Sequence, residues 1–141
     1  WAGQGEEIDP ARFVLRDLAD HALDIVRPDP DTAIAHCQHS LSREPRSPDR
    51  WAVLHHIGMA RVLLRDFDGA IAPLIESEDL LPSNSAAIAG QVIANFHLGR
   101  LTESKRAIER LALIDMPVSF ENYRNAAHRT FLVESFRQAQ Q

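Results

Sequence analysis

The sequence predicts an all-helical domain built by repetition of a helix-turn-helix unit. Three observations carry this. No run of alternating Val, Ile, Thr and aromatic residues bounded by turn residues is present, whereas Ala, Leu, Arg and Glu recur at three- and four-residue spacing. The segment Asp31-Thr32-Ala33-Ile34-Ala35 closing with Pro45 recurs as Asp68-Gly69-Ala70-Ile71-Ala72 closing with Pro82, with 14 residues from Asp to Pro in both. Moving the frame forward by 34 residues lays Phe67 on Leu101, Ala70 on Ser104, Leu74 on Ile108, Ser77 on Leu111 and Arg65 on Gly99, a pitch that belongs to stacked helical hairpins.

The elements follow in order. Asp9 with Pro10 behind it opens a helix towards Val26, because an N-cap acid is well followed by a residue whose missing N–H costs nothing there. Arg27-Pro28-Asp29-Pro30 stops it. A second helix runs from Asp31 to about Arg43, and a third follows the Ser47-Pro48-Asp49 cluster to about Leu64. Asp68 to Leu80, Ser85 to Leu98 and Thr102 to Ile114 come next, separated by Leu81-Pro82-Ser83-Asn84 and Gly99-Arg100 and ended by Asp115-Met116-Pro117. Two shorter helices, Phe120 to Ala127 and Thr130 to Gln138, complete the chain. The expected organisation is a tail over residues 1–8, one domain over 9–141 with units at about 9–45, 51–82 and 85–117, and capping helices over about 119–138. In the caps, Phe120, Tyr123, Phe131, Leu132 and Phe136 give polar helices an apolar side.

In the unit from Trp51 to Pro82 the order Leu54, Ile57, Gly58, Phe67, Ala70, Leu74, Ser77, Pro82 resembles the tetratricopeptide repeat (TPR) family. That resemblance implies a right-handed superhelix of about three hairpins. Gly58 and Ala70 would let two antiparallel helices approach closely, Leu54, Ile57 and Leu74 would fill the seam, and Pro82 would end the second helix. A glycine inside a helix costs about 1 kcal/mol against alanine, so Gly58 needs a packing reason. The sequence departs from the family pattern where Leu54 replaces tryptophan, Arg61 replaces tyrosine and Val92 stands in place of Gly or Ala. The first unit is degenerate, with about three extra residues between Pro45 and Trp51.

Composition bounds the function classes. A chain of 141 residues is the size of one domain, and 45% hydrophobic with 25% charged residues is the balance of a folded globular protein. The net charge of -5 and the lack of a basic stripe argue against nucleic-acid binding. No stretch approaches a membrane span and no secretory signal opens the chain, so a cytoplasmic setting is expected. The start at Trp1 rather than Met suggests an excised or processed segment.

The sequence holds no convergent catalytic or metal constellation. His36-Cys37-Gln38-His39 with His55-His56 is the densest cluster, yet in a helix His36 and His39 converge while Cys37 points about 100° away, leaving two ligands at most. Asp20, His21 and Asp24, or Glu76, Glu78 and Asp79, read as solvated helix surface rather than an acid-base pair. Phosphate loops, nucleophile elbows and dinucleotide fingerprints are absent from the six glycines' contexts. Cys37 has no neighbouring Lys or Arg to favour its thiolate and reads as a small buried hydrophobe. No cofactor, metal or enzymatic activity is expected.

Interaction is the remaining class. The first helix of each unit lines the concave face, which places Ala52, His55, His56, Met59, Val62 and Leu63, then Ala86, Ala89, Ile93, Phe96 and His97, in an apolar groove suited to a peptide or partner helix. Domains of this family that recognise a chain-terminal carboxylate use Lys, Arg and Asn on that face, whereas the comparable places here hold His55 and Met59, so that mode is not expected. The N-terminal helix or a second copy could instead cover half of these side chains. A homodimer is compatible with apolar end faces, and Glu6-Glu7 with the charged last helix oppose it. The tail from Pro117-Val118-Ser119-Phe120 through Tyr123-Arg124 to Phe131, Phe136 and Arg137 loosely resembles the end of repeat regions attached to bacterial class III adenylate cyclases and winged-helix regulators. That implies a C-terminal regulatory module of a signalling protein, with any cyclase activity elsewhere. The competing expectation is a free-standing TPR chaperone of type III secretion substrates.

Overall fold

The computed structural model describes residues 30–115, 118–123 and 125–141. The expected tail, the helix from Asp9 to Val26 and the stop at Met116-Pro117 lie outside them. Six helices occur in the described residues, and no strand: α1 (Pro30–Arg43), α2 (Arg50–Leu63), α3 (Phe67–Leu80), α4 (Ser85–His97), α5 (Leu101–Ala112) and α6 (Ala126–Ala139). Helices α1 to α5 pack mainly on their chain neighbours, α2 with α3 and α4 with α5 as hairpins, while α4 also lies beside α2, and α6 packs mainly on α4. This neighbour-on-neighbour packing is that of an all-α helical repeat fold.

Two chain reversals are built the same way. After α2, the Arg65 N–H donates to the Val62 carbonyl at 3.0 Å and the Asp66 N–H to the Arg61 carbonyl at 2.8 Å; after α4, Gly99 donates to Phe96 at 3.1 Å and Arg100 to Asn95 at 2.9 Å. This paired closure needs a left-handed residue just past the helix. Gly99 meets that need at φ 77°, and Arg65 holds the same conformation at φ 65°, against the preference of a side chain. The starts are capped as well. Asp66 accepts from the Gly69 N–H, Asn84 from Ala87 and Asn125 from His128. At the other end of α3, Leu81 is extended at φ -141° and ψ 88°, as the residue before Pro82 must be.

The seam of the first described hairpin centres on Leu74, which is wholly buried. A Cβ at Gly58 would stand 2.5 Å from Leu74 Cδ2 and 3.4 Å from the Ala70 carbonyl oxygen. One at Gly90 would stand 2.8 Å from Met59 Sδ and 2.9 Å from Leu74 Cδ1. Leu74 of α3 therefore sits against a bare backbone on both α2 and α4, and the two glycines set how closely three helices approach. Hydroxyls complete the seams. Ser77 Oγ donates to the Trp51 carbonyl at 2.7 Å and Ser104 Oγ to the Val92 carbonyl at 3.0 Å, both from buried serines.

α3 contains Pro73, which has no N–H for the Gly69 carbonyl one turn earlier. Arg61 Nη1 donates to that carbonyl at 3.0 Å. The departure at Arg61 thus compensates the proline across the hairpin.

The C-terminal part corrects the expected pair of short helices. Residues 118–123 form irregular backbone, and a single helix runs over Ala126–Ala139. The Asn125 side chain accepting from the His128 N–H at 2.9 Å starts that helix at Ala126, six residues after the expected start at Phe120. Phe120 and Tyr123 are buried all the same, so their apolar role holds without a helix under them.

Candidate functional site

The face expected to be the inner one belongs to α2, α4 and α6, the first helices of successive hairpins and the cap that follows them, which lie side by side. Its expected members divide by burial. Met59, Val62, Ala89 and Ile93 are at most 1% exposed, and Ala52 and Leu63 are each 7% exposed. Met59 is wedged at Gly90, which explains its position. These side chains are core beneath the face rather than contact surface, a correction to the groove the sequence predicts. Helical spacing says which way a residue points; it does not say how close the neighbouring helix comes.

His55, His56, Phe96 and His97 remain accessible, together with the partly buried Ala86. They form two groups. Near the start of α2, the His55 and His56 rings lie 5.3 Å apart at a tilt of 56°. His56 Nδ1 is 2.6 Å from the Ala52 carbonyl, which fixes Nδ1 as the protonated donor in that contact. His55 Nδ1 is 3.4 Å from Asn84 Nδ2, and Asn84 also donates to Ser77 Oγ at 3.2 Å. The His55 imidazole is thereby tied to the N-cap of α4.

At the end of α4, three near-parallel rings cluster. Phe67 and His97 are 4.5 Å apart, His97 and Phe131 5.5 Å, and Phe67 and Phe131 6.4 Å. Phe96 meets His97 edge-on at 5.3 Å. The Arg65 guanidinium lies 3.4 Å over Phe131, and His97 Nε2 shares a hydrogen with Ser135 Oγ at 2.8 Å. Burial of the packed ring face, then the Arg65 charge, lowers the His97 pKa below its ordinary 6.5. A neutral ring is therefore favoured where α6 docks.

In the 34-residue frame His55 matches Ala89, so the two groups are separated by seven residues of helix, about 10 Å along the axis. With the step of roughly 9 Å between packed helices, the two groups lie about 14 Å apart, roughly four residues of an extended peptide. The face offers two ring clusters with an apolar floor between them, and no carboxylate pair or lysine aimed inward from its predicted members.

The histidines and cysteine of α1 and α2 form no three-ligand cluster. Cys37 is buried in α1 while His39 is exposed, and among the described residues no group of three or more His, Cys, Asp or Glu is placed to hold an ion. Gly90 was not singled out in the sequence, and Asn84 and Phe131, expected only in a turn and in the cap, stand at the site. Gly90 could have been found as a second glycine inside an apolar helix, since an uncompensated glycine there signals close approach.

No family model matches the chain, and no curated protein matches it. Among solved structures it is similar to the first TPR domain of Spaghetti (RPAP3) bound to the HSP90 peptide SRMEEVD, with 21% identity over 96% of this chain and 98% of that chain and a TM-score of 0.65. It is also similar to the NMR structure of the first TPR domain of human RPAP3, with 21% identity over 92% of each chain and a TM-score of 0.64. The fold is thus that of TPR domains. No described helix is long and apolar enough to cross a membrane.

Proposed function

We propose that this chain is a non-enzymatic protein-interaction domain that holds a peptide or partner helix on its inner face. The observation that carries the reading is the accessible set His55, His56, Phe96 and His97, mounted on parallel helices of a fold whose solved neighbour holds a peptide. An apolar anchor would lie on the Phe96 and His97 rings, and a hydrogen-bonding backbone would meet the imidazoles. An internal segment suits the face better than a chain terminus, because His55 replaces the basic residues that would hold a carboxylate and Met59 is buried. A cytoplasmic setting within a larger bacterial signalling protein rests on the resemblance of the tail.

The test is selection from a displayed random-peptide library, followed by calorimetry with the selected peptide. Phe96→Ala and the double variant His55→Ala/His56→Ala are expected to weaken binding about tenfold each, a loss of roughly 1.4 kcal/mol, with unchanged helicity. Binding that survives both substitutions and is lost in Ile75→Glu, at an exposed residue of α3, would reject the inner face.

A further inference from the structure

Arginines elsewhere in the structure meet carboxylates: Arg50 with Glu76, Arg100 with Asp68, Arg106 with Glu103, Arg110 with Glu78 and Arg137 with Glu134. Arg65 meets none among the described residues, although its side chain is held on two sides. Its Nη1–H donates to the Leu63 carbonyl at 2.7 Å, and its guanidinium lies 3.4 Å from the centre of the Phe131 ring. The carboxylates around it are engaged elsewhere. Asp66 accepts from the Gly69 N–H, Asp68 pairs with Arg100, and Glu134 pairs with Arg137. A guanidinium has five N–H donors, and those of Arg65 beyond the Leu63 contact meet no acceptor among the described residues.

Its backbone stands in a conformation that a side chain resists. In the 34-residue frame Arg65 matches Gly99, and both hold the left-handed turn, at φ 65° and φ 77°. A non-glycine residue persists there where its side chain does something that compensates the strain, and such outliers gather at ligand sites. The side chain is exposed and reaches the platform of rings at the end of α4. His97 stacks on the same Phe131 ring at 5.5 Å and feels the Arg65 charge. A fixed cation with open donors thus borders the rings that offer the apolar contact.

We infer that Arg65 is a specificity-determining residue of the inner face, the seat for the carboxylate of an internal Asp or Glu in the bound peptide, beside the apolar anchor on Phe96 and His97. The inference rests on the reading that this face takes a peptide, and it names the chemistry of that peptide. Charge complementarity selects the occupant, because a guanidinium with open N–H groups pairs with a carboxylate through two parallel hydrogen bonds. Phe131 holds the guanidinium plane before the peptide arrives, so little side-chain freedom is lost on binding. In an extended peptide the residues at i and i+2 share a face about 7 Å apart, so the acid lies two residues from the anchor.

The probes are two synthetic peptides blocked at both ends, acetyl-Glu-Ser-Phe-Ser-Glu-amide and its counterpart with Gln in place of each Glu. An acid on either side of the Phe serves both chain directions, and the blocked ends remove any terminal carboxylate. NMR titration of the intact labelled chain should show the Glu peptide binding about tenfold more tightly, moving the Arg65 Nε–H signal. The bound carboxylate should also raise the His97 pKa, since it favours the imidazolium. The chain's net charge of -5 opposes an acidic peptide, so a preference for it has a local origin. Arg65→Gly, which suits the left-handed turn, should bring the two peptides to equal affinity, with urea unfolding reporting that the fold is intact. Equal binding of both peptides by the unaltered chain, as expected if Arg65 only clamps Phe131, would overturn the inference. So would failure of both to bind, or a preference for the Glu peptide that persists in Arg65→Gly. The library selection decides the inner-face reading separately: selected peptides that depend on Phe96 and carry no acid would keep that reading and remove this one.

Discussion

Replacing Gly58 by alanine tests the packing logic through the sign of the effect. In an exposed helix the change stabilises by about 1 kcal/mol, because alanine loses less backbone entropy. At Gly58 the new methyl would stand 2.5 Å from Leu74 Cδ2, inside contact distance, and Leu74 is itself fully buried against Gly90. Overpacking of this kind costs about 1–3 kcal/mol. The sum is a net loss centred near 1 kcal/mol, or a fall in Tm of about 3 °C for a chain of this length. The diagnostic step is the same substitution in a Leu74→Ala background. That change alone costs about 2–5 kcal/mol, yet it opens the space the methyl needs. There Gly58→Ala should become neutral or stabilising, a coupling of about 1–2 kcal/mol. Circular dichroism at 222 nm in urea measures all four corners of the cycle. Stabilisation by Gly58→Ala in the unaltered chain, or the same sign in both backgrounds, would refute the argument that the glycine exists for close helix approach.

Two further predictions follow from polar contacts. Arg61→Leu should cost about 0.5–1.5 kcal/mol by removing the donor to the part-buried Gly69 carbonyl, and Pro73→Ala should recover part of that loss in urea unfolding by restoring the N–H one turn on. Because burial and Arg65 lower the His97 pKa, the folded state prefers the neutral ring. Its contribution is whole above pH 6.5 and declines as pH falls through 6.5 towards the lowered value. The Tm of the unaltered chain should therefore fall more between about pH 7.5 and about pH 5.5, across the imidazole range, than that of His97→Phe. In an NMR titration Arg65→Gly, which suits the left-handed turn, should raise the His97 pKa towards 6.5, and no movement would remove Arg65 as a cause.

Much of the hairpin framework was legible in the sequence because its signals are local. The duplicated Asp-to-Pro spacing marks α1 and α3, Pro82 forces Leu81 out of the helix, and Arg65 falling on Gly99 in the 34-residue frame anticipates their shared left-handed turn. Gly58 was readable because a glycine in a helix needs a cause. What stayed hidden depends on contacts between distant positions. Met59 points inward by periodicity and is buried because Gly90, far along the chain, lets α4 come close. Arg61 looked like a defect in the repeat pattern until Pro73 was seen to leave a carbonyl for it. The aromatic residues after Phe120 carried the right burial and suggested the wrong helix, since burial fixes which side chains are inside and the Asn125 cap fixes where the helix begins.

The central claim is that the inner face, with its two ring clusters, takes the partner. Titration of the isotope-labelled chain with the selected peptide, followed by amide and aromatic NMR shifts, tests it directly. The account predicts the largest shifts at His55, His56, Phe96 and His97, with smaller ones at Ala86. Shifts gathered at Ile75 and Leu80 on α3, with the four rings silent, would contradict it.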